Sequence, residues 1–171
     1  LNIAAPLAII PVGVIVERAK GTSRWADFLW RPVSVLTGEP DTAPWTKLSD
    51  DGERVTYYAG NAKIELYRTE TTYYRQNLES GTPGLWISLR ATNAEPPYMV
   101  AVVTADPAEG ESLTETATDL VEQVPMPELI QQFVAAFVAE HHIERAFGKR
   151  QRDRADPEAL ARRTPLEDDR E

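Results

Sequence analysis

The chain has 171 residues, of which 42% are hydrophobic and 26% charged, and its formal net charge is −9. Such a length and apolar content suit one packed domain with a tail, while the acidic balance argues against generic attraction to nucleic acid or to an anionic membrane. The absence of cysteine excludes disulfides, thiolate metal sites and cysteine nucleophiles.

Residues 1–16 are apolar but interrupted by Pro6 and Pro11 and carry no basic start. They are too short for a membrane span of ~20 residues and make a poor signal peptide. A cytoplasmic location is the expectation. Val12, Val14 and Val16 then alternate with Gly13, Ile15 and Glu17. This period of two predicts a strand, central because both of its faces are apolar. Trp25, Phe28, Leu29 and Trp30 predict a short helical turn broken at Arg31-Pro32. Residues 33–36 predict a second strand, closed by Gly38-Glu39-Pro40-Asp41. Residues 43–48 form a third, followed by the turn signal Ser49-Asp50-Asp51-Gly52.

Residues 54–59 and 62–68 flank Gly60-Asn61, which reads as a two-residue hairpin connection. Residues 72–78 predict a further strand, and Ser80-Gly81-Thr82-Pro83-Gly84 a turn. Leu85, Ile87 and Leu89 alternate with Trp86, Ser88 and Arg90, and residues 98–104 are a hydrophobic strand. Asp106-Pro107-Ala108-Glu109 has the form of a helix start, although Gly110 and several threonines weaken the helix it opens. Residues 120–124 predict a last strand. From Pro127, Leu129, Ile130, Phe133, Val134, Phe137 and Val138 recur at three and four, so one stripe of a helix should pack on the sheet. On that reading Phe133→Asp would release the helix or unfold the domain.

About eight short strands at regular spacing, then a helix, define the expected fold class. It is α+β: a mostly antiparallel β sandwich or barrel, with a C-terminal amphipathic helix packed on it and a charged tail. The β-rich domain and its helix take residues 1–147, and the charged tail residues 148–171. Residues 1–140 balance to −9, residues 141–163 to +3 and residues 164–171 to −3. The basic arm is therefore local to an acidic body. It suits docking on an acidic protein or folding back on its own domain.

His141, His142 and Glu144 place metal-ligating atoms close together, and His141 and Glu144 would share a helix face. Alternatively, His141 covers the edge of the apolar stripe and complements the helix C-terminus. Lys149, Arg150, Arg152 and Arg154 suit carboxylate or phosphate contacts. Phe147 is the one aromatic residue near them, so a stacking platform for single strands is poorly supported. Trp25, Trp30, Trp45 and Trp86, with five tyrosines, are either core and cross-strand pairs or the lining of a pocket. Gly21-Thr22-Ser23-Arg24 lacks the glycines and lysine of a phosphate loop. There is no nucleophile elbow and no acid–base frame, so no catalytic residue is assigned.

Pro11-Val12-Gly13-Val14, Trp30-Arg31-Pro32-Val33, Ala43-Pro44-Trp45, Tyr57-Tyr58-Ala59-Gly60, Tyr74-Arg75-Gln76-Asn77-Leu78, Val124-Pro125-Met126-Pro127 and the segment from His141 to Phe147 occur in a specific order. In that order they resemble the bacterial family called domain of unknown function 3305. The resemblance implies a companion of molybdenum-dependent formate dehydrogenases. Some relatives carry the label of a molybdopterin-guanine dinucleotide synthesis enzyme. This chain has neither the glycine-rich loop nor the alternating strands and helices of such a nucleotidyltransferase.

Three functions are thus expected in order. The first is a non-catalytic accessory protein of a formate dehydrogenase or its maturation machinery, with no cofactor of its own. Its partner contacts would come from Trp25, Trp30, Arg31, Trp45, Phe147, Lys149, Arg150, Arg152 and Arg154. The second is a module binding a pterin or nucleotide in a deep pocket rimmed by Arg31, Arg75 or Arg90. The third is a metal-dependent enzyme using His141, His142 and Glu144.

Overall fold

The computed structural model describes residues 4–22, 27–116 and 118–142. Seven strands and three α-helices succeed one another as β1 (Ala8–Lys20), β2 (Phe28–Thr37), β3 (Thr46–Asp50), β4 (Arg54–Leu66), α1 (Thr71–Glu79), β5 (Gly84–Ala91), β6 (Tyr98–Thr104), α2 (Pro107–Glu115), β7 (Asp119–Pro125) and α3 (Glu128–His141). A short 3-10 turn, Arg68–Glu70, precedes α1.

All strand pairs are antiparallel and fall into two sheets, ordered β2-β1-β4-β3 and β6-β5-β7. The sheets approach at two corners, β4 beside β6 and β2 beside β7. Among the described residues no ladder crosses either corner, so the expected barrel does not close and the arrangement is sandwich-like.

The period-two pattern of the first strand is realised. Val12, Val14 and Val16 are fully buried in the central strand of the larger sheet. Leu85, Ile87 and Leu89 of β5 face them from the smaller sheet as part of one core. Burial of each such side chain stabilises by about 1.5–3 kcal/mol before entropy is counted.

Several local expectations are corrected. Phe28–Trp30 is strand rather than helical turn, and Pro32 lies within β2 instead of ending it. β2 is an edge strand, where a missing N–H is tolerated, and its register slips at this point: Ile15 pairs with Ser34 and Val16 with Pro32. Gly60-Asn61 is not a hairpin turn. Residues 54–66 form one strand, because Val14 pairs with Gly60 and Ile15 with Tyr58, leaving Ala59 as the extra residue of a β-bulge. Gly60 has φ +148°, a conformation essentially restricted to glycine.

Residues 72–78, expected as a strand, belong to α1. Thr71, Tyr74 and Asn77 are buried at a spacing of three, and this one-sided burial outweighs the β propensity of the threonines and tyrosines. Asn77 is held by three bonds. Its amide nitrogen donates to the carbonyls of Gly84 (2.8 Å) and Ala105 (2.9 Å), and its oxygen accepts from Gly84 N (3.0 Å). The helix is thereby tied to the start of β5 and the end of β6.

Asp106 caps α2 as expected, accepting from Ala108 N (2.8 Å) and Glu109 N (3.4 Å). Gly110 is a packing device, because Trp86 lies against it. A Cβ there would fall 2.3 Å from the indole.

α3 buries Ile130, Val134, Phe137 and Val138. Phe137 meets the ring of Tyr74 edge-on at 6.1 Å, so the helix packs on α1 as well as on the sandwich. Leu129 and Phe133, expected in the packed stripe, are 65% and 46% exposed. The buried stripe is narrower than expected and keeps four of its six residues, and Phe133 cannot hold the domain together.

This packing sets the cost of substitution. Phe133→Asp should cost less than about 1 kcal/mol, whereas Ile130→Ala should cost about 2–5 kcal/mol. Gly110→Ala should destabilise by about 1–3 kcal/mol through the Trp86 clash, despite the better helix propensity of alanine. Urea unfolding monitored by circular dichroism measures all three.

Candidate functional site

Aromatic side chains gather on the inner side of the larger sheet, at the end around Lys20 and Phe28. The register places Arg18 opposite Trp30 on β2 and Val55 on β4, with Val16 opposite Tyr57 one step along the same face. Trp30 stacks on Tyr57 at 5.8 Å with ring planes 30° apart, meets Trp45 edge-on at 5.8 Å, and lies 6.1 Å from Tyr98. Trp45 also contacts Tyr57 at 5.9 Å. Trp30 and Trp45 both remain half-buried.

A cation sits on this cluster. The Arg18 guanidinium lies 4.2 Å from the centre of the Phe28 ring, with Tyr57 at 5.6 Å and Trp30 at 5.8 Å. Each such contact is worth about 0.5–2 kcal/mol, more as water is removed. Its Nε is buried and has no hydrogen-bond partner, so ring faces replace part of its hydration.

Trp45 is the one non-glycine residue with positive φ among those described, at +65°. Its backbone N donates to Tyr58 O at 2.5 Å. Such strain persists where the surroundings hold it and is common in binding sites.

Arg31, on the outer side, donates to Glu17 at 3.4 Å, and Arg54 approaches the same carboxylate oxygen at 3.7 Å. Trp25 lies outside the described residues, as do Phe147, Lys149, Arg150, Arg152 and Arg154. The structure thus brings together Trp30 and Trp45, with Arg31 next along β2. Sequence reading grouped Tyr57 with the tryptophans but did not single out Arg18 or Tyr98 for this cluster. The alternation of Val16, Arg18 and Lys20 was the available signal, since it puts a cation on the valine face of β1.

Among the described residues Arg31, Arg75 and Arg90 do not meet around one pocket. Arg31 pairs with Glu17, Arg90 Nε lies 3.8 Å from Asp119, and Arg75 pairs with Glu79 at 3.1 Å. These arginines stand on three separate elements, and the sandwich interior is filled by apolar side chains.

A cleft of about 300 Å³ lies elsewhere, between β4 and β6, lined by Asn61, Lys63, Glu65, Tyr67, Val102 and Glu109 among others. The Tyr67 hydroxyl donates to Glu65 at 2.6 Å, and that of Thr104 to Glu109 at 2.8 Å. The bond to Glu65 pushes the Tyr67 phenol up to about 12.

At the end of α3, His142 lies 3.1 Å through Nδ1 from the Thr71 hydroxyl and 3.5 Å through Nε2 from Arg75 Nη1. A guanidinium only donates, so in the Arg75 contact Nε2 is the accepting atom. The Thr71 hydroxyl donates onward to Arg68 O at 3.2 Å. This imidazole is occupied as a helix clasp. His141 packs on Phe137 at 4.5 Å and lies 3.6 Å from Glu140, and Glu144 lies outside the described residues. Among the described residues, no three His, Cys, Asp or Glu side chains are grouped to hold a metal ion, and no helix is long and apolar enough to cross a membrane.

Fold and surface together define a two-sheet antiparallel α+β domain with an aromatic cluster at one end. The chain belongs to the family described as protein of unknown function DUF3305, whose model matches residues 11–151. No curated protein and no solved structure matches it.

The Asp106 carboxyl provides a check on the electrostatics beside the cleft. Burial raises its pKa, the capping amides of Ala108 and Glu109 oppose this, and Glu70 and Glu109 raise it further. The folded state therefore holds this proton more tightly than the unfolded chain. The stabilisation is complete below the ordinary carboxylate range and is lost as pH rises through the folded value. Asp106→Asn keeps a capping oxygen and should remove this pH dependence, whereas Asp106→Ala should cost about 1 kcal/mol. Thermal unfolding between pH 3 and pH 7 separates the two variants.

Proposed function

We propose that this chain is a non-catalytic binding protein, an accessory or maturation factor of a molybdenum-dependent formate dehydrogenase acting in the cytoplasm. One observation supports the binding role above others: Trp45, Tyr57 and Tyr98 gather around Trp30, with Arg18 over the Trp30, Tyr57 and Phe28 rings, while both tryptophans remain partly open to solvent. Tryptophan, tyrosine and arginine carry most of the binding energy at protein interfaces. Large rings lose little entropy on docking. The formate enzyme as partner rests on the family resemblance and on the order of its motifs. The basic arm would add charged contacts that set the association rate and its salt dependence.

Affinity purification of the full chain from its native cell, followed by mass spectrometry, tests the reading. A formate dehydrogenase subunit should co-purify, and Trp45→Ala should weaken the association by about 30-fold or more with an unchanged circular dichroism spectrum. Recovery without any formate dehydrogenase peptide removes the assigned partner. Equal recovery by Trp45→Ala removes the aromatic cluster as the anchor.

A further inference from the structure

The cleft between β4 and β6 is walled by strand edges that no ladder uses. β3 pairs with β4 only as far as Tyr58, so residues 61–66 pair with β1 alone. β6 is likewise an edge strand, bonded only to β5. Backbone groups on such edges retain the capacity to pair with a further segment.

The cleft also has a sign. Glu65 and Glu109 line it, each bonded by a neutral hydroxyl. Among the described residues neither has a cation within ion-pair distance. Glu70 lies in the same neighbourhood, since it and Glu109 act together on both Asp106 and Tyr74. Lys63 is the one cation among the lining residues.

α3 ends against the turn that follows β4. His142 is bonded to Thr71, and Thr71 to the Arg68 carbonyl, one residue from the cleft-lining Tyr67. The sequence continues with Arg145, Lys149, Arg150, Arg152 and Arg154. The seven residues of β6 can be matched by about seven residues of extended chain, and residues 143–154 exceed that. A tethered segment also enjoys an effective concentration that a free peptide lacks.

From the open edges, the uncompensated carboxylates and the exit of α3, we infer that residues 143–154 dock in the β4–β6 cleft of their own domain, with their cations against Glu65, Glu70 and Glu109. This goes beyond the docking reading, because it gives the basic arm a resting place that a partner must empty. It holds whichever protein that partner is.

Since the full chain has no cysteine, Gln151→Cys carries a single nitroxide without removing an arm cation. The label should broaden the NMR signals of residues 61–66 and 100–104. Broadening should fall in about 0.5 M salt, and likewise when Glu65→Gln and Glu109→Gln remove charge while keeping an acceptor oxygen. In an equimolar mixture of spin-labelled chain with isotope-labelled, unmodified chain, the broadening should vanish.

Undisturbed cleft signals in the singly labelled chain would overturn the inference. Broadening that persists in the mixture would place the arm on a second copy and overturn it equally. A label-free measurement stands beside these. The amides of β6 should exchange about tenfold faster when Lys149, Arg150, Arg152 and Arg154 are changed to Glu, and equal rates at equal melting temperature would count against docking.

Discussion

Gly60 lets one strand do the work of two. At φ +148° it absorbs an extra residue in β4, and this bulge keeps residues 54–66 continuous along the whole of β1. Before the bulge, β4 is flanked on both sides and supplies Tyr57 to the aromatic cluster. Beyond it, β4 has β1 on one side and the cleft on the other. A Cβ at this position would strain the backbone whatever space it found. Both candidate surfaces are thus arranged around one backbone torsion.

A second constraint is polar and buried. Asn77 has both amide hydrogens and its oxygen committed to Gly84 and Ala105. Each bond alone contributes about 1 kcal/mol, but an orphaned buried partner costs more than that. Because the bonds go to backbone atoms at the ends of β5 and β6, α1 can take only one position on the smaller sheet. α1 in turn supplies Tyr74 and Thr71, which receive Phe137 of α3 and His142 just after it. The route from Asn77 to the end of the described chain is therefore a series of specific contacts.

The readable parts of the sequence were those where one local pattern decides the outcome. Val12-x-Val14-x-Val16 gave β1, the alternation about Trp86 gave β5, and Asp106-Pro107 gave the capped start of α2. Misreadings arose where a residue serves a distant neighbour. Gly60 looks like a turn because glycine is common in turns, yet here it answers to the register of β1. Residues 72–78 carry strand-forming side chains, yet their helix comes from what Tyr74 and Asn77 must reach. Leu129 and Phe133 repeat at helical spacing, but no periodicity says which edge of a broad apolar stripe meets the body. At the candidate site, the tryptophans were visible as anchors by residue type. The place of Arg18 depended on knowing which face of β1 turns inward, and the cleft depended on strand order, which no local pattern encodes.

The order of the two sheets along the chain has a consequence for biosynthesis. Every strand of the larger sheet lies between Ala8 and Leu66, and every strand of the smaller one between Gly84 and Pro125. A nascent chain therefore completes the first layer while the residues that cover it are still untranslated. At about 5–20 residues per second, the valine face of β1 waits on the order of ten seconds for β5 and α3. During that interval the half-made sandwich has its most apolar face uncovered, so the order of synthesis leaves the core to be sealed last.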